Sequence, residues 1–167
     1  MYTGTDREKR QLDELKSENT LERFTQNFLG DKAELRRNEA LLTFEKCVEL
    51  AKENEVELFL IAGDLLDFNK VEKSFVDRIF TAIESAPDIK FVFSAGNHDP
   101  LNSDSPFLSE SLPENLIVLK PYDCAEEIKK GVKVYGKSFS EVLCEGEDEF
   151  SVKPQKNDIN IMCIHGE

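Results

Sequence analysis

The sequence predicts an α/β fold with a largely parallel core, and three observations carry that prediction. Short apolar runs at residues 56–62, 89–93, 116–119, 132–135 and 159–164 have the length of buried strands. Amphipathic helical stretches separate the first of them, an alternation that yields parallel strands. Two runs break at a glycine and then present polar side chains, Gly63-Asp64 and Gly96-Asn97-His98-Asp99, while the last runs into His165-Gly166.

The elements follow in order. Residues 1–32 are polar, with sparse apolar positions at Leu12, Leu15, Leu21, Phe24, Phe28 and Leu29. A helix and a frayed arm both fit them, so they are set apart as an N-terminal segment ahead of a domain at 33–167. Residues 33–53 are helical. Leu41, Phe44, Val48 and Ala51 form one stripe, with Cys47 and Leu50 beside it. Residues 56–62 form a buried strand ending at Gly63. Val71, Phe75, Ile79, Ala82 and Ile83 predict a second helix, broken at Pro87. The strand at 89–93 leads to Gly96. Residues 100–114, with three prolines and several serines, predict a loop with one helical turn near Phe107. Strands at 116–119 and 132–135 follow, the second after the turn Lys129-Lys130-Gly131. Glu141, Glu145, Glu147, Asp148 and Glu149 mark a solvated acidic loop before the last strand.

Composition excludes some classes. No apolar run approaches the roughly 20 residues of a membrane helix, and the first ten residues lack the apolar core of a signal peptide. Cys47, Cys124, Cys144 and Cys163 show no C-x-x-C spacing. Cys47 and Cys163 lie in apolar patterns that predict small buried hydrophobes. A reduced cytoplasm is the expected compartment. The net charge of −13 argues against a broad phosphate-binding surface. It does not oppose divalent cations.

The chemistry gathers at the strand ends, where open α/β sheets bind ligands. Asp64, Asn97, His98 and His165 each follow such an end, so the fold is expected to place them on one rim. Asp64 offers two anionic oxygens able to bridge two cations, Asn97 a carbonyl oxygen, and His165 an imidazole nitrogen. Such mixed donors suit Mn, Fe or Zn better than Ca. Two cations about 3.5–4 Å apart can hold a phosphate and stabilise a leaving oxygen. His98, one residue past a ligand, can face substrate and protonate the leaving group. Asp67 is placed to accept a hydrogen bond from His98. Each piece also has a plain structural reading: Gly63-Asp64 as a turn, Asp67 as a helix N-cap, Asn97-His98-Asp99 as a polar turn before Pro100, and His165 as a core or surface histidine. Their joint occurrence after apolar strands favours a metal site for phosphoester hydrolysis.

These residues resemble the calcineurin-like metallophosphoesterase family. Gly63-Asp64-Leu65-Leu66-Asp67 is similar to its G-D-x-x-D motif, Gly96-Asn97-His98-Asp99 to its G-N-H-D/E motif, and His165-Gly166 to its following histidine motif. Stretches 36–39, 96–107 and 132–139 look closest to the SbcD-type DNA repair exonuclease branch. The resemblance implies a two-sheet α/β sandwich and a nuclease-like, metal-dependent phosphoesterase. It implies Asp64 bridging two metals, with Mn foremost and Fe, Zn or Mg as alternatives. Asn97 and His165 then serve the second metal, His98 contacts the scissile phosphate, and Asp67 orients His98. It also implies a phosphoester substrate such as DNA and an SMC-like ATPase partner. The family's first D-x-H motif has no counterpart, because Asp6, Asp13 and Asp31 are followed two positions on by Glu8, Leu15 and Ala33. Its G-H-x-H motif has none either, and the chain has two histidines. The expectation is therefore a sandwich incomplete at both ends, an incomplete two-metal site, and exposed sheet edges open to oligomer formation. A non-catalytic binding remnant and a phosphatase for small phosphoesters are the competing readings.

Overall fold

The computed structural model describes residues 35, 38–66, 72–109, 111–141 and 150–166. The segment at 1–32, Asp67, Val71 and most of the acidic loop fall outside them. The chain divides into two units, Met1–Thr43 and Phe44–Glu167, and the architecture below belongs to the second.

Residues 38–53 are helical and are labelled α1, of which 44–53 belong to the second unit. Its stripe is as its spacing predicts: Leu41, Val48 and Ala51 are buried and Phe44 is half-buried. Cys47 and Leu50 are both exposed, which corrects the expectation for Cys47. They lie beside the stripe, and a helix of this width buries only the central line of its apolar face.

Six strands follow in two sheets. The first sheet holds β1 (Leu58–Ala62), β2 (Lys90–Ser94) and β3 (Leu116–Val118) in the order β1-β2-β3, all parallel. The second holds β4 (Cys124–Lys129), β5 (Val132–Gly136) and β6 (Ile159–Met162) in the order β4-β5-β6. There β4 pairs antiparallel with β5, and β5 parallel with β6. Three of these four pairings are parallel, as the largely parallel core expected from the sequence requires, and β4 adds the one antiparallel pair. The sequence reading passes over β4. Its half-buried face is Cys124, Glu126 and Ile128, and its exposed face Ala125, Glu127 and Lys129, so it carries no apolar run to reveal it.

The core forms on both faces of β2. Its odd positions meet aromatic rings: Phe91 stacks on Phe59 at 5.2 Å, and Phe93 lies 4.3 Å from Phe107. Phe44 of α1 and Phe80 of α2 (Lys73–Glu84) reach the same layer through Phe59 and Phe107. Phe107 belongs to a 3-10 turn at Pro106–Leu108, where one helical turn was predicted. The other face of β2 meets the second sheet: Val92, Leu119, Val134 and Cys163 form one buried cluster. Burial pushes the Cys163 thiol up from its ordinary pKa, so it packs there as a neutral group. Buried serines join the sheets. Ser94 Oγ donates to the Lys137 carbonyl, and Ser138 Oγ accepts from Ala95 N–H while donating to the Leu119 carbonyl.

Asn115, also buried, closes the far end of α2. Its amide NH₂ lies 2.9–3.1 Å from the carbonyl oxygens of Ile83, Ala86 and Ile89, so its two N–H bonds serve three acceptors, one of them shared. Asn115→Ala is expected to cost about 1–3 kcal/mol in urea denaturation. Asn115→Asp should cost more near neutrality, because a buried carboxylate then faces three carbonyl oxygens. Its folded-state pKa is raised, so the excess penalty shrinks as pH falls through the carboxylate range and protonation supplies a donor.

Among the described residues no helix is long and apolar enough to cross a membrane.

Candidate metal centre

The chain leaves β1 through two consecutive left-handed residues, Gly63 at φ 83° and Asp64 at φ 55°. Gly63 is needed twice over. Its φ suits glycine, and a Cβ there would enter the His165 ring, meeting Nδ1 first and lying 2.6 Å from Cγ. Gly96, after β2, approaches as closely from the other side, since a Cβ there would overlap Asp64 Oδ1 and lie 2.8 Å from the Asp64 nitrogen. The two glycines let the strand-end loops and His165 occupy one small volume.

His165 stands three residues past β6, so it comes from the second sheet rather than from a common rim of one open sheet. Its Nδ1 lies 2.9 Å from the Ala62 carbonyl oxygen. Its Nε2 lies 3.0 Å from Asn97 Oδ1 and 3.4 Å from Asp64 Oδ2. A carbonyl oxygen only accepts, so a bond to Ala62 takes the ring N–H at Nδ1 and leaves Nε2 as the nitrogen that faces the two side-chain oxygens. Metal-binding histidines are typically anchored in this way, by the nitrogen that does not ligate. Phe139 packs edge-on to the ring at 5.7 Å and holds it from a second side. The structure therefore brings together three of the residues singled out from the sequence: Asp64, Asn97 and His165.

The donor set fits a divalent cation. A carboxylate oxygen, an amide oxygen and an imidazole nitrogen facing one another repel as lone pairs unless a proton or a cation lies among them. Among the described residues no group of three or more His, Cys, Asp or Glu side chains makes a metal cage. The centre consists instead of one carboxylate, one imidazole and one neutral amide.

Asp64 uses its oxygens unequally. Oδ2 faces His165, while Oδ1 accepts the His98 backbone N–H at 3.1 Å. One oxygen, rather than two, is thus turned to the Asn97–His165 pair. His98 is half-buried beside them. The expected pairing of Asp67 with His98 lies outside the described residues.

One residue of the motif received no role from the sequence. Asp99 is 5% exposed, and its carboxylate accepts four backbone N–H groups: Asp64 at 3.2 Å and Gly96 at 2.7 Å on Oδ1, Leu65 at 2.7 Å and Leu66 at 3.1 Å on Oδ2. A left-handed non-glycine residue costs on the order of 1–3 kcal/mol. The Asp64 N–H is itself one of the four groups that the Asp99 carboxylate accepts, so the strained residue is tied to it directly. The signal available in the sequence was position alone, an acidic residue closing Gly96-Asn97-His98-Asp99.

No curated protein matches the chain. The calcineurin-like phosphoesterase family pattern matches residues 29–167, a span that contains every residue of the centre. The mixed α/β architecture with two three-stranded sheets agrees with that match. Over most of its length, and through all the residues that converge at Asp64, the chain belongs to the calcineurin-like phosphoesterase family.

Proposed function

We propose that this chain is a divalent-metal-dependent phosphodiesterase domain of the DNA-processing type, with Asp64, Asn97 and His165 as metal ligands. The observation that carries this reading is the convergence of His165 Nε2 on Asn97 Oδ1 and Asp64 Oδ2, with Nδ1 anchored on the Ala62 carbonyl. Membership of a family of metal-dependent phosphoesterases supports it. Mixed N/O donors suit Mn, Fe or Zn better than Ca, and the resemblance to the SbcD-type branch puts Mn first among them.

A bound divalent ion supplies Lewis-acid charge to a phosphoryl oxygen. The chain's own residues do the rest. In that hydrolysis water adds to phosphorus and gives its proton to solvent as the bond to the leaving oxygen breaks. His98, beside Asp64, would contact the scissile phosphate and protonate the leaving oxygen, with Asp67 orienting it. Phe139 screens His165 from water on one side. The similarity of stretches 36–39, 96–107 and 132–139 to the SbcD-type branch supports DNA as substrate and an SMC-like ATPase as partner. Free thiols at Cys47, Cys124 and Cys163 support a reducing compartment such as the cytoplasm. The net charge of −13 favours a second reading, hydrolysis of small phosphoesters that need no basic surface.

Titration with Mn²⁺, followed by the electron paramagnetic resonance signal of the free ion, tests the site. His165→Ala should weaken binding by more than the roughly 10–100-fold that loss of an outer partner costs. Mn-dependent cleavage of single-stranded DNA and of bis(p-nitrophenyl) phosphate, lost in Asp64→Asn, is the expected activity. Preference for p-nitrophenyl phosphate decides for the second reading. Failure to bind Mn²⁺ at millimolar concentration overturns both.

A further inference from the structure

We propose that Asp99 is the positioning residue of this centre: its buried carboxylate fills a ring of main-chain N–H groups from both strand-end loops and fixes Asp64 in the left-handed conformation that aims Oδ2 at His165 and Asn97. The inference deepens the metal-site reading and rests on it for its consequence, though not for its geometry.

Three features of the arrangement lead there. First, the N–H groups of Asp64, Leu65 and Leu66 are consecutive and all point at Asp99. Successive N–H groups around a left-handed turn form a concavity that attracts anions. In a phosphate-processing site an open concavity of this kind would compete for the phosphate, and Asp99 fills it from within the chain. Second, Asp99 Oδ1 is shared between Asp64 N–H and Gly96 N–H. One oxygen atom thus ties the loop after β1 to the loop after β2. Third, the four hydrogen bonds to the Asp99 carboxylate all come from main-chain N–H groups and none from a donor side chain. It acts on Asp64 through the backbone, while the Asp64 side chain is held separately by the His98 N–H. Removing the charge should leave the donors present but misdirected.

Asp99→Asn keeps the shape and turns an NH₂ group toward two of the four N–H groups, whichever way the amide is placed. In the metal-free protein, the amide signals of Asp64, Leu65, Leu66 and Gly96 should shift upfield together in ¹H–¹⁵N spectra and lose protection from hydrogen exchange. Mn²⁺ affinity should fall about 10–100-fold, the loss typical of an outer partner. Asn115→Ala, which destabilises the same unit far from these loops, should leave both readouts near wild type. Asp99→Glu keeps the anion on a longer arm and should restore part of the affinity; it replaces Asp99→Asn on the same readouts should that variant not fold.

The proposal is overturned if the four amides keep their shifts and protection in Asp99→Asn, or if Asn115→Ala lowers Mn²⁺ affinity as much. Wild-type protein that binds no Mn²⁺ overturns the metal-site reading, and the amide signals still decide the role of Asp99.

Discussion

Phe93→Ala is expected to remove about 3–5 kcal/mol of stability, the range for deleting a large buried aromatic. A domain holds about 5–15 kcal/mol in all, so the variant should sit at or near the edge of folding. Phe93 is fully buried in the central strand, and its ring lies 4.3 Å from Phe107. Phe107 in turn contacts Phe80 of α2 at 6.0 Å. Its loss therefore opens a cavity where strand, 3-10 turn and helix meet, a place with little freedom to collapse. Position adds to the effect. Phe93 directly precedes Ser94-Ala95-Gly96, which carry the bonds to Lys137, Ser138 and Asp99. Urea denaturation of Phe93→Ala beside Phe107→Ala and the double variant checks this. The double variant should cost less than the sum, because the two rings share one cavity.

Gly63→Ala is expected to lower metal affinity more than tenfold. The new methyl group would lie against the His165 ring and force it out. Both anchors of that ring then go, the Ala62 carbonyl at Nδ1 and the pairing of Nε2 with Asn97. A control separates this from backbone strain. Gly131 has nearly the same dihedral, φ 78° against 83°, but the nearest atom to its added Cβ is Asp158 Oδ1 at 3.9 Å. Gly131→Ala should therefore lose about 1–3 kcal/mol of stability from strain alone, and Gly63→Ala more than that, since the contacts of His165 go as well. Gly63→Ala alone should lose Mn²⁺ affinity, by more than tenfold. Parallel denaturation and Mn²⁺ titration of the two variants measure both quantities. Equal affinities in the two would show that His165 does not need the space at Gly63.

Much of the site is legible in the sequence because its parts are local. Each donor follows an apolar run that a period-2 or continuous pattern reveals, and each glycine marks a turn that a Cβ would block. For the same reason β1, β2, β3, β5 and β6 are visible, and so is the turn at Phe107. β4 is hidden because its signal depends on a neighbour. Its Glu126, Glu127 and Lys129 become a strand only by pairing with Val134, Lys133 and Val132 of β5. Cys47 misleads because an apolar pattern fixes the centre of a buried helical face and not its width.

The sequence by itself determined the strand ends, the donor types at Asp64, Asn97 and His165, and the family motifs. These depend on residue identity and on spacing within a few positions. Only the tertiary structure decided that His165 arrives from a second sheet, 68 residues from Asn97 and 103 from Ala62. It also decided that Asp64 turns one oxygen, not two, toward them, and that Asp99 gathers the N–H groups of both loops. Those outcomes depend on which backbone groups are left unpaired where the sheets meet. A buried N–H must find an acceptor, and here the acceptor is a carboxylate whose sequence position looks like any polar turn.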